Sequence, residues 1–180
     1  MVDQTTYMYR QTIEYPDFTA AYLSSLRANS VWYIDASPDW VPAFDSSDFL
    51  VYDHLISVVT SGKLKAENSK HTERIHEAGS PINISRSKTV YRCTSLVDDT
   101  TSVSLFPKQN IIYNRELYTL SVGQSVQVPT IDKPTHFYIA KGLVSINGTE
   151  RGAFHMLKIE PNQEINVVCS EDSYLVRIWE

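Results

Sequence analysis

Histidine, cysteine and carboxylate side chains are the groups from which a site is most readily built, and here they are thinly spread. The five histidines are His54, His71, His76, His136 and His155. His71 and His76 stand five residues apart in His71-Thr-Glu73-Arg-Ile-His76. Two imidazoles on one helix face for zinc need the i, i+4 spacing, so a solvated loop is expected there. His54, between Asp53 and Leu55, reads as a surface residue, and His155, between Phe154 and Met156, as a rim residue on a strand. Cys93 and Cys169 have no CxxC spacing and are too few for a disulfide framework, so two buried thiols are expected. Asp35, Asp39, Asp45 and Asp48 form an acidic cluster that could take a cation, although a solvated loop is the expectation. The chain contains no GxSxG elbow, P-loop, GxGxxG or HExxH, so nothing singles out a nucleophile among its many serines and threonines.

The elements that must position any site are bounded by composition. With 180 residues, 42% of them apolar, the chain can bury a core of its own. A formal charge of −5 argues against a nucleic-acid partner, which needs clustered lysine and arginine. Met1–Arg10 lacks the basic start and apolar run of a signal peptide, and no stretch approaches the roughly 20 apolar residues of a membrane span. A cytoplasmic protein is expected, in a host cytoplasm or a virion if the chain is viral. Asn83-Ile-Ser85 and Asn147-Gly-Thr149 then match the glycosylation pattern by chance.

The pattern of apolar residues changes near residue 80. Before it, Phe18, Ala21, Tyr22 and Leu26 recur at helical spacing behind Asp17, which predicts a helix over 17–28. Val31–Ile34 reads as a strand. Phe49, Tyr52, Leu55, Ile56 and Val59 predict a second helix over 47–60, weakened by the β-branched run Val58-Val59-Thr60. Residues 61–80 are polar and read as a linker. Beyond them the period is two. Short strands are predicted from Thr89 to Trp179, separated by turns such as Lys141-Gly142 and Pro161-Asn162, with Asn147-Gly148 as the sharpest hairpin signal. The chain is therefore read as mainly β, with an α/β N-terminal extension over 1–80 and a barrel over 81–180.

Within that barrel, Leu120-Ser-Val-Gly123-Gln-Ser-Val-Gln-Val-Pro129, Thr135-His-Phe-Tyr-Ile-Ala-Lys-Gly142 and Leu143-Val-Ser-Ile-Asn-Gly148 resemble the cupin family. Ile159-Glu-Pro161-Asn-Gln-Glu164 and the closing strand Tyr174–Ile178 echo the second cupin motif. The resemblance implies a cupin-like jelly-roll barrel whose bore holds a metal or a small ligand. Laid on this chain, the family's metal-ligand positions fall on Val128, Thr130, Thr135 and Asn166, which make no transition-metal site. No metal and no cofactor are expected.

Strand parity puts Val126, Val128 and Thr130 on one face with Thr135, Phe137 and Ile139, and turns His136 and Tyr138 outward. The candidate ligand pocket is accordingly Val128, Thr130, Thr135, Phe137 and Asn166, in a bore filled mostly by its own side chains. The function expected is that of a non-catalytic cupin-like module with a structural or protein-interaction role, phage origin being one expectation. The alternative is a metal-free cupin that binds or isomerises a small, carbohydrate-like molecule. Eleven tyrosines and the alternating arm Thr5–Thr12 suggest self-association, the arm supplying a strand to a neighbour.

Overall fold

The computed structural model describes residues 8–25, 31–34, 55–68, 73–82, 91–109 and 111–180. The chain divides into two units, Met1–Asn110 and Ile111–Glu180, so the expected boundary at 80/81 falls inside the first. Residues 1–7, the 47–54 part of the second expected helix, the four-aspartate cluster, His54 and His71 lie outside the described residues. Among the described residues all regular structure is strand, and no helix is long and apolar enough to cross a membrane.

The N-terminal unit holds β1 (Met8–Glu14), β2 (Phe18–Ser25), β3 (Val31–Ile34), β4 (Ile56–Ser61), β5 (Lys63–Asn68), β6 (Glu73–Glu77), β7 (Pro81–Ile82), β8 (Tyr91–Ser95) and β9 (Thr101–Pro107). They form two sheets, β1-β2-β9-β4-β7 and β3-β8-β5-β6. The helix expected over 17–28 is instead β2, and the described part of the one expected over 47–60 is β4. Both strands are covered on both faces: Phe18, Ala20, Ala21 and Leu23 are buried along β2, and Ile56 to Thr60 along β4. Burial on both faces erases the period-two signal and leaves spacings that imitate a helix. Pairing on both edges, with β1 and β9 for β2, then decides the conformation.

The expected linker over 61–80 is largely the β5–β6 hairpin. It is polar because, among its described residues, only Leu64 and Ala66 are buried, while Lys63–Glu77 and Lys65–Glu73 pair across it at 3.3 and 3.7 Å. From Met8 onward the N-terminal arm pairs with β2 of its own chain, Met8 opposite Ser25 through Glu14 opposite Thr19.

Its far end is tied down by Glu14, whose Oε2 accepts from Lys108 Nζ and from Thr19 Oγ1, each at 2.9 Å. The Lys108 hydrogen bond, then Thr19, hold the carboxyl below the usual range. A lowered folded pKa means that the stabilisation is present above the unfolded pKa and lost as pH falls through the folded one. Glu14→Gln is expected to reduce stability at neutral pH by under about 1 kcal/mol, the pair being exposed. In urea titrations the gap to the parent protein should close in acid. A gap of equal size there would contradict this.

The C-terminal unit holds β10 (Asn114–Leu120), β11 (Ser125–Val128), β12 (Thr135–Lys141), β13 (Leu143–Ile146), β14 (Thr149–Gly152), β15 (Met156–Ile159), β16 (Ile165–Cys169) and β17 (Ser173–Trp179). Its sheets are β10-β17-β12-β15 and β11-β16-β13-β14. The core lies between them, with Leu120, Phe137, Ile139, Ile159 and Leu175 from the first and Val128, Val144, Ile146, Ile165, Val167 and Cys169 from the second. Asn147 and Gly148, both at positive φ, form the two-residue hairpin loop between Ile146 and its partner Thr149.

Without β1, the two units have one strand order. Moving every strand from β2 to β9 eight places along the chain converts the first pair of sheets into the second. The correspondence reaches individual residues. The pairing of β4 with β9 slips between Val59 and Ser61, and that of β12 with β17 between Ile139 and Lys141. A positive-φ glycine follows each slip, Gly62 and Gly142. A hydroxyl then accepts the next N–H, Lys63 N to Thr100 Oγ1 at 3.3 Å and Leu143 N to Ser173 Oγ at 3.1 Å. The chain is an internal duplication of an eight-stranded jelly roll.

Candidate functional site

The five residues expected to line a pocket do not gather. Val128 and Phe137 are core side chains, and Thr135 is buried on the same face as Phe137. Thr130 is exposed in the loop between β11 and β12. Asn166 is exposed and stands opposite Gln127, whereas Ile165 and Val167 are the inward residues of β16. Placing Asn166 in the bore put it one residue out of parity. His136 and Tyr138 do leave the core face, yet both are buried rather than solvent-facing.

His155 is exposed, its Nδ1 3.0 Å from Gly152 O. His76 is a half-buried strand residue rather than part of a loop, and burial, then Arg74, lower its pKa. Cys93 and Cys169 are buried cysteines outside any disulfide, one in each unit.

Charge reaches the inner face of the C-terminal unit at one end of β17. That strand alternates Leu175, Arg177 and Trp179 on the inner face with Val176 and Ile178 on the other. Arg177 is 3% exposed and directly opposite Glu116 on one side and Phe137 on the other. Its Nη2 donates to Pro129 O at 2.7 Å, its guanidinium lies 5.0 Å from the Trp179 ring centroid, and its Nε has no acceptor.

Next to it, Tyr118 Oη donates to Glu116 Oε2 at 2.8 Å. Burial, then Glu116, push the Tyr118 pKa up, against a hydrogen bond from Arg177 that lowers it. The phenol therefore stays protonated at neutral pH and serves as a donor to Glu116. Glu116 is exposed and Tyr118 half-buried, so the trio marks the rim of the inner face while Thr135 lies deeper.

The duplication supplies an internal comparison. The positions of Glu116, Tyr118 and Arg177 correspond to Ala21, Leu23 and Ser104 in the N-terminal unit, and Phe137 corresponds to Ser57. There the Ser57 and Ser104 hydroxyls, 2.5 Å apart, satisfy each other. The fold does not need a charge at this strand crossing. Sequence reasoning missed Arg177 although the signal was available, because an arginine between Val176 and Ile178 in a closing strand shares the parity of Leu175.

The strand order and the filled inner faces define a two-unit protein of the cupin fold. No family model and no curated protein matches the chain. Solved structures do match. The "Cupin 2 conserved barrel domain protein from Leptotrichia buccalis" aligns at TM-score 0.52 and 10% identity, covering 99% of this chain and 91% of that one. YhaK from Escherichia coli aligns at 0.60 and 11%, covering 94% and 92%. The bacterial pirin YhhW from Escherichia coli in complex with nickel(II) aligns at 0.55 and 11%, covering 90% and 80%. At these identities the likeness is one of fold, and it extends well beyond the C-terminal half. Among the described residues no three His, Cys, Asp or Glu side chains are placed to hold an ion, and the inner positions of β11, β12 and β16 are apolar apart from Thr135 and the Cys169 thiol.

Proposed function

We propose that the chain is a non-catalytic cupin-like binding module whose C-terminal unit takes a small, carbohydrate-like molecule at the rim formed by Arg177, Glu116 and Tyr118. One observation carries this reading: of two units with the same strand order, only one has charge at this crossing. A guanidinium with an unused N–H, a phenol and an accessible carboxylate can bind hydroxyls and acceptors. Glu116 is the one group of the trio that could act as a base, and it lies exposed with an oxygen accepting from the Tyr118 hydroxyl, so binding rather than isomerisation is favoured.

The reading separates ligand binding from stability. A buried charge that serves the fold is costly to remove, whereas one retained for a ligand is replaced by an apolar side chain of similar volume with little loss or a gain. Arg177→Met is expected to keep the melting temperature of the free protein unchanged or raise it, while ligand-induced stabilisation disappears. A loss of about 3 kcal/mol or more in the free protein would make Arg177 a structural residue instead.

A further inference from the structure

We propose, building on that reading, that the group recognised at the C-terminal rim is a carboxylate, carried by a hydroxylated molecule of the sugar-acid or hydroxy-acid class, and that it reaches Arg177 when the Trp179 ring rotates off the guanidinium. Arginine stays charged at any relevant pH, so burial cannot be relieved by losing the proton. Its surroundings leave that charge uncompensated: a backbone carbonyl, a neutral phenol and an indole face, but no carboxylate in ion-pair contact among the described residues. Nε, shielded from solvent, still has a hydrogen to give. A carboxylate supplies both the missing acceptor and the missing charge, and it binds guanidinium more strongly than a neutral hydroxyl does.

Glu116 sets the second requirement. One carboxylate oxygen accepts from Tyr118, and the side chain is exposed, so its remaining capacity suits a hydroxyl donor rather than a second anion. Glu116 and Arg177 are cross-strand partners, and the ligand's carboxylate and hydroxyl must therefore sit within one small molecule. Trp179 is the cover: it is half-buried, ends β17, and its ring centroid lies 5.0 Å from the Arg177 guanidinium.

The test uses the intact chain with D-glucuronate, D-galacturonate and L-lactate against D-glucose and D-galactose, read by thermal shift and tryptophan emission. At least one acid should raise the melting temperature and change the emission, with no shift from its neutral counterpart. Arg177→Met should weaken that acid by about thirtyfold or more, and Arg177→Lys, which keeps the charge but not the planar donor edge, should fall between. Trp179→Phe should keep the thermal shift and lose the emission change. If an emission change persists in that variant, the rotation is wrong. Equal shifts from acid and neutral sugar, both lost in Arg177→Met, would overturn the carboxylate anchor and leave the binding reading standing, whereas equal shifts surviving in Arg177→Met would overturn both. No shift from any of the five compounds would overturn both.

Discussion

Alanine at position 142 is expected to cost the C-terminal unit about 3 kcal/mol or more, combining left-handed backbone strain with overpacking. Gly142 has φ +95°, and a Cβ there would meet Ser173 Oγ, Asp172 O at 2.5 Å and Ser173 Cα at 2.8 Å. Two of these neighbours are backbone atoms, which cannot swing aside. Gly148 supplies the control, with φ +80° and nothing within 4 Å of the place a Cβ would take. Alanine there should cost only the strain, about 1 kcal/mol. Urea unfolding of the two variants measures the difference, and equal losses would show that the close approach at Gly142 is relieved in some other way.

Phe137→Ala should be comparably damaging, at about 3–5 kcal/mol. Phe137 is fully buried among Ile139, Val144, Leu175 and their neighbours, and its strand is paired on both sides at this position, with Leu157 and Arg177. No hydroxyl partner awaits a smaller polar residue there, in contrast to Ser57, which has Ser104. Phe137→Ser should therefore be at least as destabilising as Phe137→Ala. Denaturant midpoints with an unchanged slope would report the loss, and a cost under about 1 kcal/mol would mean that the core collapses around the gap.

Much of the C-terminal unit was legible because one face of its strands meets solvent. β16 alternates buried and exposed at every residue from Ile165 to Cys169, and the predicted turns Lys141-Gly142 and Asn147-Gly148 bound β13 on its two sides. The first unit was misread where that contrast is missing, at β2 and β4, and where strong polarity concealed a hairpin, at β5–β6. The duplication was invisible for a related reason. What the copies share is backbone behaviour, two slips in pairing followed by Gly62 and Gly142, while side chains at equivalent crossings differ in kind, as Ser57 and Phe137 do. Thr135 and Phe137 lie on the inner face of β12, as strand parity predicts. Arg177 was passed over because the count followed a metal-ligand pattern, and that pattern does not use this strand.

Two copies of one strand order on a single chain also give each strand two places in which its backbone could pair while the protein folds. Side chains arbitrate between them. β4 laid into the place of β12 would set Ser57 where Phe137 fills the C-terminal core, leaving a void, and the reverse exchange would force a phenyl ring against the space held by the Ser57–Ser104 pair. Exchange between neighbouring repeats is a characteristic way for duplicated chains to misassemble. The divergence of the two halves thus does more than place charge in one of them. It makes each wrong partnership short-lived, so that a nascent chain is sorted into its proper halves before either one closes.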